Sequence, residues 1–372
     1  MRNVVGIVNL HDGPSLGNLT EKRPLGAVTF LGRYGLMDFA LSNLSNSGID
    51  RICIFAEKNV QAIRSHMGSG SIWINNTVTG FVRFFANEKE MNSKHFNTDV
   101  NSILANSSQL DGLDCDYVVV VPPFMLMSID FREVVEAHKK SGADATIVYT
   151  HALEADKTYQ NCEEILFNEN NEIQHISPFS GNKGVADISL QTYVFNKSAL
   201  QKLVAEGHNV SALYNIRQML AFFINRNLLK VNAYRFDGYV APIISLNHYI
   251  WYSFELLSYS KRSQLFLEDW PIYTTTHNTP PSLYSSTADV QNSFIANGSI
   301  IKGKVHNSIL SREVVVEEGA VVENCILFTK TKVGPGVHTN YVVADKSVKI
   351  TEKKEVCGDI NDYLCILTGE KI

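Results

Sequence analysis

The chain has 372 residues, 45% of them hydrophobic, and a formal net charge of −5 with its lysines and arginines scattered rather than clustered. That length allows one large core plus a smaller second unit, and the acidic balance removes the electrostatic reason to expect nucleic acid or an anionic membrane as partner. No segment approaches the roughly 18 apolar residues of a membrane span, and six cysteines (Cys53, Cys115, Cys162, Cys325, Cys357, Cys365) without a CxxC pair or a nearby histidine at ligand spacing are expected as reduced thiols of a cytoplasmic protein.

In chain order, short apolar runs bounded by turn residues predict strands at Val4 to Leu10, Arg51 to Ala56, Tyr117 to Val121, Ala145 to Tyr149 and Leu190 to Phe195. Stretches of helical period lie between and after them, at Met37 to Leu44, Val60 to Met67, Phe131 to Lys140 and Leu213 to Ile224. The alternation predicts a Rossmann-like α/β domain with a doubly wound parallel sheet, whose ligands sit at the carboxyl ends of the strands. The two loops to inspect therefore follow Leu10 and Val121. The first has the layout of a phosphate-gripping loop and little of its chemistry. In Leu10-His11-Asp12-Gly13-Pro14-Ser15, Asp12 adds negative charge, Pro14 removes an N–H donor, and no cation follows before Lys22.

The domain is expected over residues 1–255. Residues 256–290 form a polar, aromatic stretch in which Pro271, Pro280 and Pro281 forbid regular helix, predicting a linker or wrapping segment. Over 291–372 a period of six takes over, with Ile309, Val315, Val321, Leu327 and Val333 in one column and Leu310, Val316, Val322 and Phe328 beside it. Six residues per side fit a chain coiling around a three-sided prism, a β-helix, with Gly319, Gly334 and Gly336 at corners.

The segments "LTEKRPLGAVTFLGRYGLMDFALSNLSNSGIDRICIF" (Leu19 to Phe55), "TYVFNKSAL", "DWPIYT" and the hexad run from Gly303 resemble the glucose-1-phosphate adenylyltransferases, the ADP-glucose pyrophosphorylases of bacterial glycogen synthesis. The resemblance covers nearly the whole chain. It implies a nucleotidyltransferase domain of GT-A-like type, a C-terminal left-handed parallel β-helix, Mg²⁺-assisted attack of glucose 1-phosphate on ATP, and tetrameric assembly.

Against that family's motifs, charge is missing at five positions. The family's loop GGxGTRLxxLT places its glycines and threonine on Leu10, His11, Gly13 and Pro14 and its arginine on Ser15; Leu25 replaces a lysine, and Gly35 a further arginine. The aspartates of GDH and GYWxDVG, which hold Mg²⁺ in the family, fall on Pro123 and Pro242. Little of the GTADA-x-x-QN signature remains over Thr98 to Asn106. Asp114 and Asp116 precede their strand, Asp130 and Asp38 read as helix-start carboxylates, and His11 as a solvated loop residue. Lys22, Arg23 and Arg33 keep cationic positions and are candidates for holding a phosphate or effector, with a solvated basic edge as the alternative.

The chain looks like the GlgD type, the catalytically impaired second subunit that accompanies the catalytic subunit in Gram-positive bacteria. The expectation is a non-catalytic or weakly active regulatory subunit with no cofactor of its own. Its partner is a catalytic glucose-1-phosphate adenylyltransferase subunit in a hetero-tetramer, with a homo-oligomer as its form alone. The rivals are an ADP-glucose-forming enzyme with relocated ligands, for which Mg²⁺ would be the cofactor, and a stand-alone nucleotide or sugar-phosphate sensor.

Overall fold

A computed structural model describes the chain except residues 2, 12, 57–59 and 87–97. Its N-terminal sheet has nine strands: β1 (Val4–Leu10), β2 (Arg51–Ala56), β3 (Phe81–Ala86), β4 (Tyr117–Val121), β5 (Ala145–Ala152), β6 (Glu163–Phe167), β7 (Ile173–Pro178), β8 (Ala186–Asn196) and β9 (Val231–Arg235). β1, β2 and β4 begin and end where the apolar runs do, because a strand covered on both faces is apolar at every position and stops where polarity returns. β1 lies central and parallel to both β2 and β4, with Gly6 opposite Ile52 on one side and Val119 on the other. A side chain at Gly6 would meet Leu44 Cδ1 at 2.7 Å, so this glycine lets the helix Leu36–Asn46 lie close on the sheet.

The sheet is mixed, not parallel throughout. β8 runs antiparallel to β4 and to β5 and sits between them, while β9 returns parallel to β5. An unbroken apolar run specifies burial on both faces but carries no direction, which is why the run Leu190 to Phe195 reads equally well as a parallel strand.

Residues 256–290 are not a plain linker. They contain the helix Tyr259–Leu265, then an extended stretch that wraps the domain: Tyr273 N–H donates to Ser42 Oγ (2.8 Å), Trp270 Nε1 to Asn43 Oδ1 (2.8 Å) and Asn46 Nδ2 to the Pro271 carbonyl (3.0 Å). The β-helix has already begun at Leu283.

From there three five-stranded parallel sheets form the faces of a left-handed β-helix. Its axis is filled by Leu310, Val316, Val322, Leu327 and Val333, all fully buried, whereas Val315 and Val321 point outward and are only half-buried. The six-residue column drawn from the sequence is therefore one residue out of step on the first two faces. The cause is a tight corner at Asn324 (φ 49°), which turns the chain with one residue fewer, so that Ile309 pairs with Ile326 and Val315 with Lys332, 17 residues on. Gly319 and Gly336 do take left-handed corner conformations (φ 71° and 65°); Gly334 does not, and is instead pressed against Thr351.

The β-helix is fused to the first domain by a shared core. Phe328 packs edge-on to the buried Tyr249 (centroids 6.5 Å), whose hydroxyl donates to the Thr29 carbonyl at 2.6 Å. Gly32 approaches so closely that a Cβ there would lie 2.8 Å from the Leu310 carbonyl oxygen. No helix among the described residues is long and apolar enough to cross a membrane.

Candidate functional site: an emptied cleft and a charged crevice

The carboxyl ends of β1 and β4 meet the loop Pro122-Pro123-Phe124. Immediately after it, Met125–Leu126 pairs antiparallel with Ala241–Pro242, setting Pro242 opposite Met125, and Ile243 N–H donates to the Phe124 carbonyl at 2.7 Å. Pro123 and Pro242, 119 positions apart in the chain, are thus brought to one place, and both are buried. These are the two positions on which the resemblance places the family's metal-binding aspartates. Their side chains are two pyrrolidine rings.

The opening loop has closed over the same region. Leu25 is buried, and its Cδ2 would lie 3.1 Å from a Cβ at Gly13; Leu16 and Leu19 are buried beneath it. Ser15 is exposed and accepts from Gly17 N–H within its own turn. His11 is buried (2% exposed), not the solvated residue expected; Asp12 lies outside the described residues. What remains is a cavity of about 30 Å³, bordered by Asn9, His11, Asp99, Phe124, Tyr193 and Arg217. Ligand pockets run to roughly 300–1,000 Å³, so this space is about a tenth of the smallest.

Asp99, the carboxylate that borders it among the described residues, is committed to the fold: Asn9 Nδ2 donates to Oδ2 at 2.6 Å, and the N–H groups of Val100 and Ile216 donate to Oδ1 at 2.7 and 2.9 Å. Asp130 accepts from Arg132 N–H and caps the helix Phe131–Ser141, and Asp38 accepts from Gly35 N–H while its other oxygen meets His66 Nε2 at 2.7 Å. Asp116 accepts from Asn3 at the far end of β4. The donor set a Mg²⁺ ion requires, several unspent oxygens converging on one point, is not offered by these residues.

The basic candidates separate. Arg23 is buried against the equally buried Asp345 of the β-helix, with its guanidinium over the Phe328 ring; its charge is matched inside the junction. Lys22 is exposed. Arg33 is exposed and opens onto a second cavity of about 270 Å³, in the crevice between the first domain and the β-helix. There it joins Arg262, Arg312, His277 and Asn297, residues that no sequence motif groups: they come from a helix, the wrapping segment and the β-helix. Arg262 stacks over Phe294 and donates to the Leu257 carbonyl (3.1 Å); Arg312 donates to the Thr275 carbonyl (3.3 Å). Among the described residues no carboxylate ion-pairs with any of the three arginines. Burial and then Arg33 push the Arg312 guanidinium down, and burial followed by Arg312 and His66 push the His277 imidazole down, the signature of a crowded positive site.

Residues 12–205 match the nucleotidyl transferase family model and residues 282–362 the GlmU-like C-terminal hexapeptide model. Over 361 residues the chain is 29% identical to the glycogen biosynthesis protein GlgD of Bacillus subtilis, covering 95% of this chain and 92% of that protein. Over 354 residues it is 30% identical to the glucose-1-phosphate adenylyltransferase of Fervidobacterium nodosum (94% and 84%), and over 314 residues 28% identical to that of Clostridium acetobutylicum (83% and 82%).

Proposed function

The chain belongs to the nucleotidyl transferase family and, within it, to the glucose-1-phosphate adenylyltransferases, and from that premise we propose that it serves glycogen biosynthesis in the cytoplasm as a non-catalytic or weakly active regulatory subunit. It hetero-oligomerises with a catalytic subunit that converts ATP and glucose 1-phosphate to ADP-glucose, in a tetramer, and tunes that partner's activity or effector response. One observation carries the reading: Pro123 and Pro242 converge, buried, where paired carboxylates would have to hold Mg²⁺. Electrostatic stabilisation of a transferring phosphoryl group is commonly the largest catalytic term, and loss of one such contact costs about 2.7–4 kcal/mol. Here several are lost together, so Mg²⁺ belongs to the partner's site.

A specific observation favours an effector role beside it. Arg33, Arg262 and Arg312 face one crevice that no carboxylate lines among the described residues, and a phosphorylated ligand would supply the missing negative charge. The crevice joins the two domains, so an anion there would fix their packing and be felt at any interface they share.

Co-expression with a catalytic subunit, followed by sizing and assay, tests the proposal. The expected result is a mixed oligomer whose kcat or effector response differs from that of the catalytic subunit alone, while the purified chain with Mg²⁺, ATP and glucose 1-phosphate shows no turnover above background. A mixture equal to the sum of its parts, or full turnover by this chain alone, rejects it.

A further inference from the structure

The second face of the β-helix is built from Asp289–Gln291, Lys304–His306, Val321–Glu323, His338–Asn340 and Glu355–Cys357, stacked in parallel. Because side chains alternate along a strand, the middle residues Val305, Val322, Thr339 and Val356 are buried, and those flanking them project outward. The register places His338 opposite Glu355 and Asn340 opposite Cys357, with Glu323 on the preceding strand opposite Asn340. This outer surface gathers ligand atoms that are far apart in the chain. A nitrogen of His338, a carboxylate oxygen of Glu355 and Sγ of Cys357 all lie within 4.8 Å of one another, with His338 Nε2 also 3.3 Å from Glu323 Oε2.

We propose that His338, Glu355 and Cys357, with Glu323 as fourth ligand, form a site for a divalent cation of borderline softness such as Zn²⁺, which fastens the last coil of the β-helix to the coil before it. The donor set selects the class of ion: imidazole nitrogen, thiolate sulfur and carboxylate oxygen suit Zn²⁺ or Co²⁺, whereas Mg²⁺ and Ca²⁺ take oxygen alone. Metal–ligand distances of about 2.0–2.3 Å put tetrahedral donors roughly 3.3–3.8 Å apart, which exposed side chains on rigid strands reach by small rotations. Charge favours it too, since among the described residues neither Glu323 nor Glu355 is ion-paired to a lysine or arginine. Binding displaces the thiol proton of Cys357 to solvent, one proton per ion bound.

The location gives the ion work to do. Glu355–Cys357 is the last strand of its face, with an unpaired edge beyond it. The chain then leaves the repeat of the coils just before it: Val342 pairs with Leu364, 22 residues on, where Ile326 pairs with Val343, 17 on. A clamp bridging the last two rungs, His338 on one and Glu355 with Cys357 on the other, holds this end.

Titration of the full-length chain with Co²⁺, after treatment with chelator and reductant, tests the site. One equivalent is expected to bind with a near-ultraviolet thiolate-to-cobalt charge-transfer band, to be displaced by Zn²⁺, and Zn²⁺ is expected to raise the melting temperature. Cys357→Ser removes the band and His338→Ala weakens binding at least about tenfold; circular dichroism confirms that both variants fold, and Glu355→Gln provides an independent third. Absence of the band, a band that survives Cys357→Ser because Cys115 or Cys365 supplies it, or affinity unchanged by His338→Ala overturns the proposal.

Discussion

The cleft at the strand ends and the crevice against the β-helix are built on the same domain, yet they have gone opposite ways. The cleft has the strand pairing that sets Pro242 opposite Met125, and beside it a cavity of only about 30 Å³ bordered by Pro122, Phe124 and polar groups that include Asp99 and Arg217. The crevice has about 270 Å³ and three arginines that, among the described residues, have no carboxylate ion-pair partner. Backbone geometry is fixed by packing that extends over the whole core, so it survives the exchange of individual side chains at the site. Charge at a site is held only by what the site binds, because like charges brought together destabilise the fold unless solvent or a ligand offsets them. An intact scaffold is therefore weak evidence for chemistry, and like charges gathered at one crevice are stronger evidence for a ligand.

The largest expected effect lies at the junction that walls the crevice. Arg23 and Asp345 are 6% and 3% exposed; Thr368 Oγ1 and Lys346 N–H also donate to Asp345. Asp345→Ala would leave a guanidinium buried without a counter-charge, so a loss of about 3–5 kcal/mol is expected in urea unfolding. Arg23→Met combined with Asp345→Leu should recover most of it, because the pair's desolvation penalty goes with it. A loss under about 1 kcal/mol for Asp345→Ala would mean that the junction is not held by this pair.

Next in size is the charge left beside the cleft. Glu163, 8% exposed, lies 3.5 Å from Arg217 Nε, and burial outweighs that arginine, pushing its carboxyl from an ordinary 4.5 up to about 7. A raised pKa in the folded state means that the neutral form is the better accommodated one. Its stabilising contribution is complete below about pH 4.5 and is lost as pH rises through about 7. Glu163→Gln, a fixed mimic of the neutral form, should match the parent at pH 5 and exceed it by about 1–3 kcal/mol at pH 8. Melting curves of both at the two pH values decide it; a gap independent of pH would show that the carboxylate ionises freely.

Legibility in the sequence follows the range of the interactions. β1, β2 and β4, buried on both faces, announce themselves by uninterrupted apolarity, and the two prolines are visible because their motif positions are set by local sequence. β6, β7 and β9 carry no contiguous apolar signal, because polar residues interrupt them, as in Val231–Arg235; β3, with Phe81, Val82, Phe84, Phe85 and Ala86 around Arg83, does carry one and is absent from the strands expected above. The inward column of the β-helix was displaced by one because Asn324 looks like any polar residue until its φ of 49° is seen. The crevice could not be assembled at all, since Arg33, Arg262 and Arg312 meet only through tertiary packing. His11 reads as solvated for the same reason: its burial beside Asn9, Asp99 and Phe124 arises only in the fold.

The smallest effect contrasts the β-helix wall with the cleft loop. Asn307 Nδ2 donates to Asn324 Oδ1 at 2.6 Å, and Asn324 Nδ2 to Asn340 Oδ1 at 2.9 Å, a ladder along the tight corner. Asn324→Ala removes both bonds and forces a Cβ-bearing residue without a local hydrogen bond to keep the left-handed conformation, so a loss of about 1–2 kcal/mol is expected. Asn324→Gly loses the same bonds without the steric cost and should be less damaging than alanine. Ser15→Ala, in the exposed turn of the closed loop, should stay within about 0.5 kcal/mol of the parent. If glycine and alanine at 324 prove equally damaging, the ladder's hydrogen bonds rather than the backbone conformation set the corner, and the 17-residue advance must then be attributed to side-chain pairing along the wall.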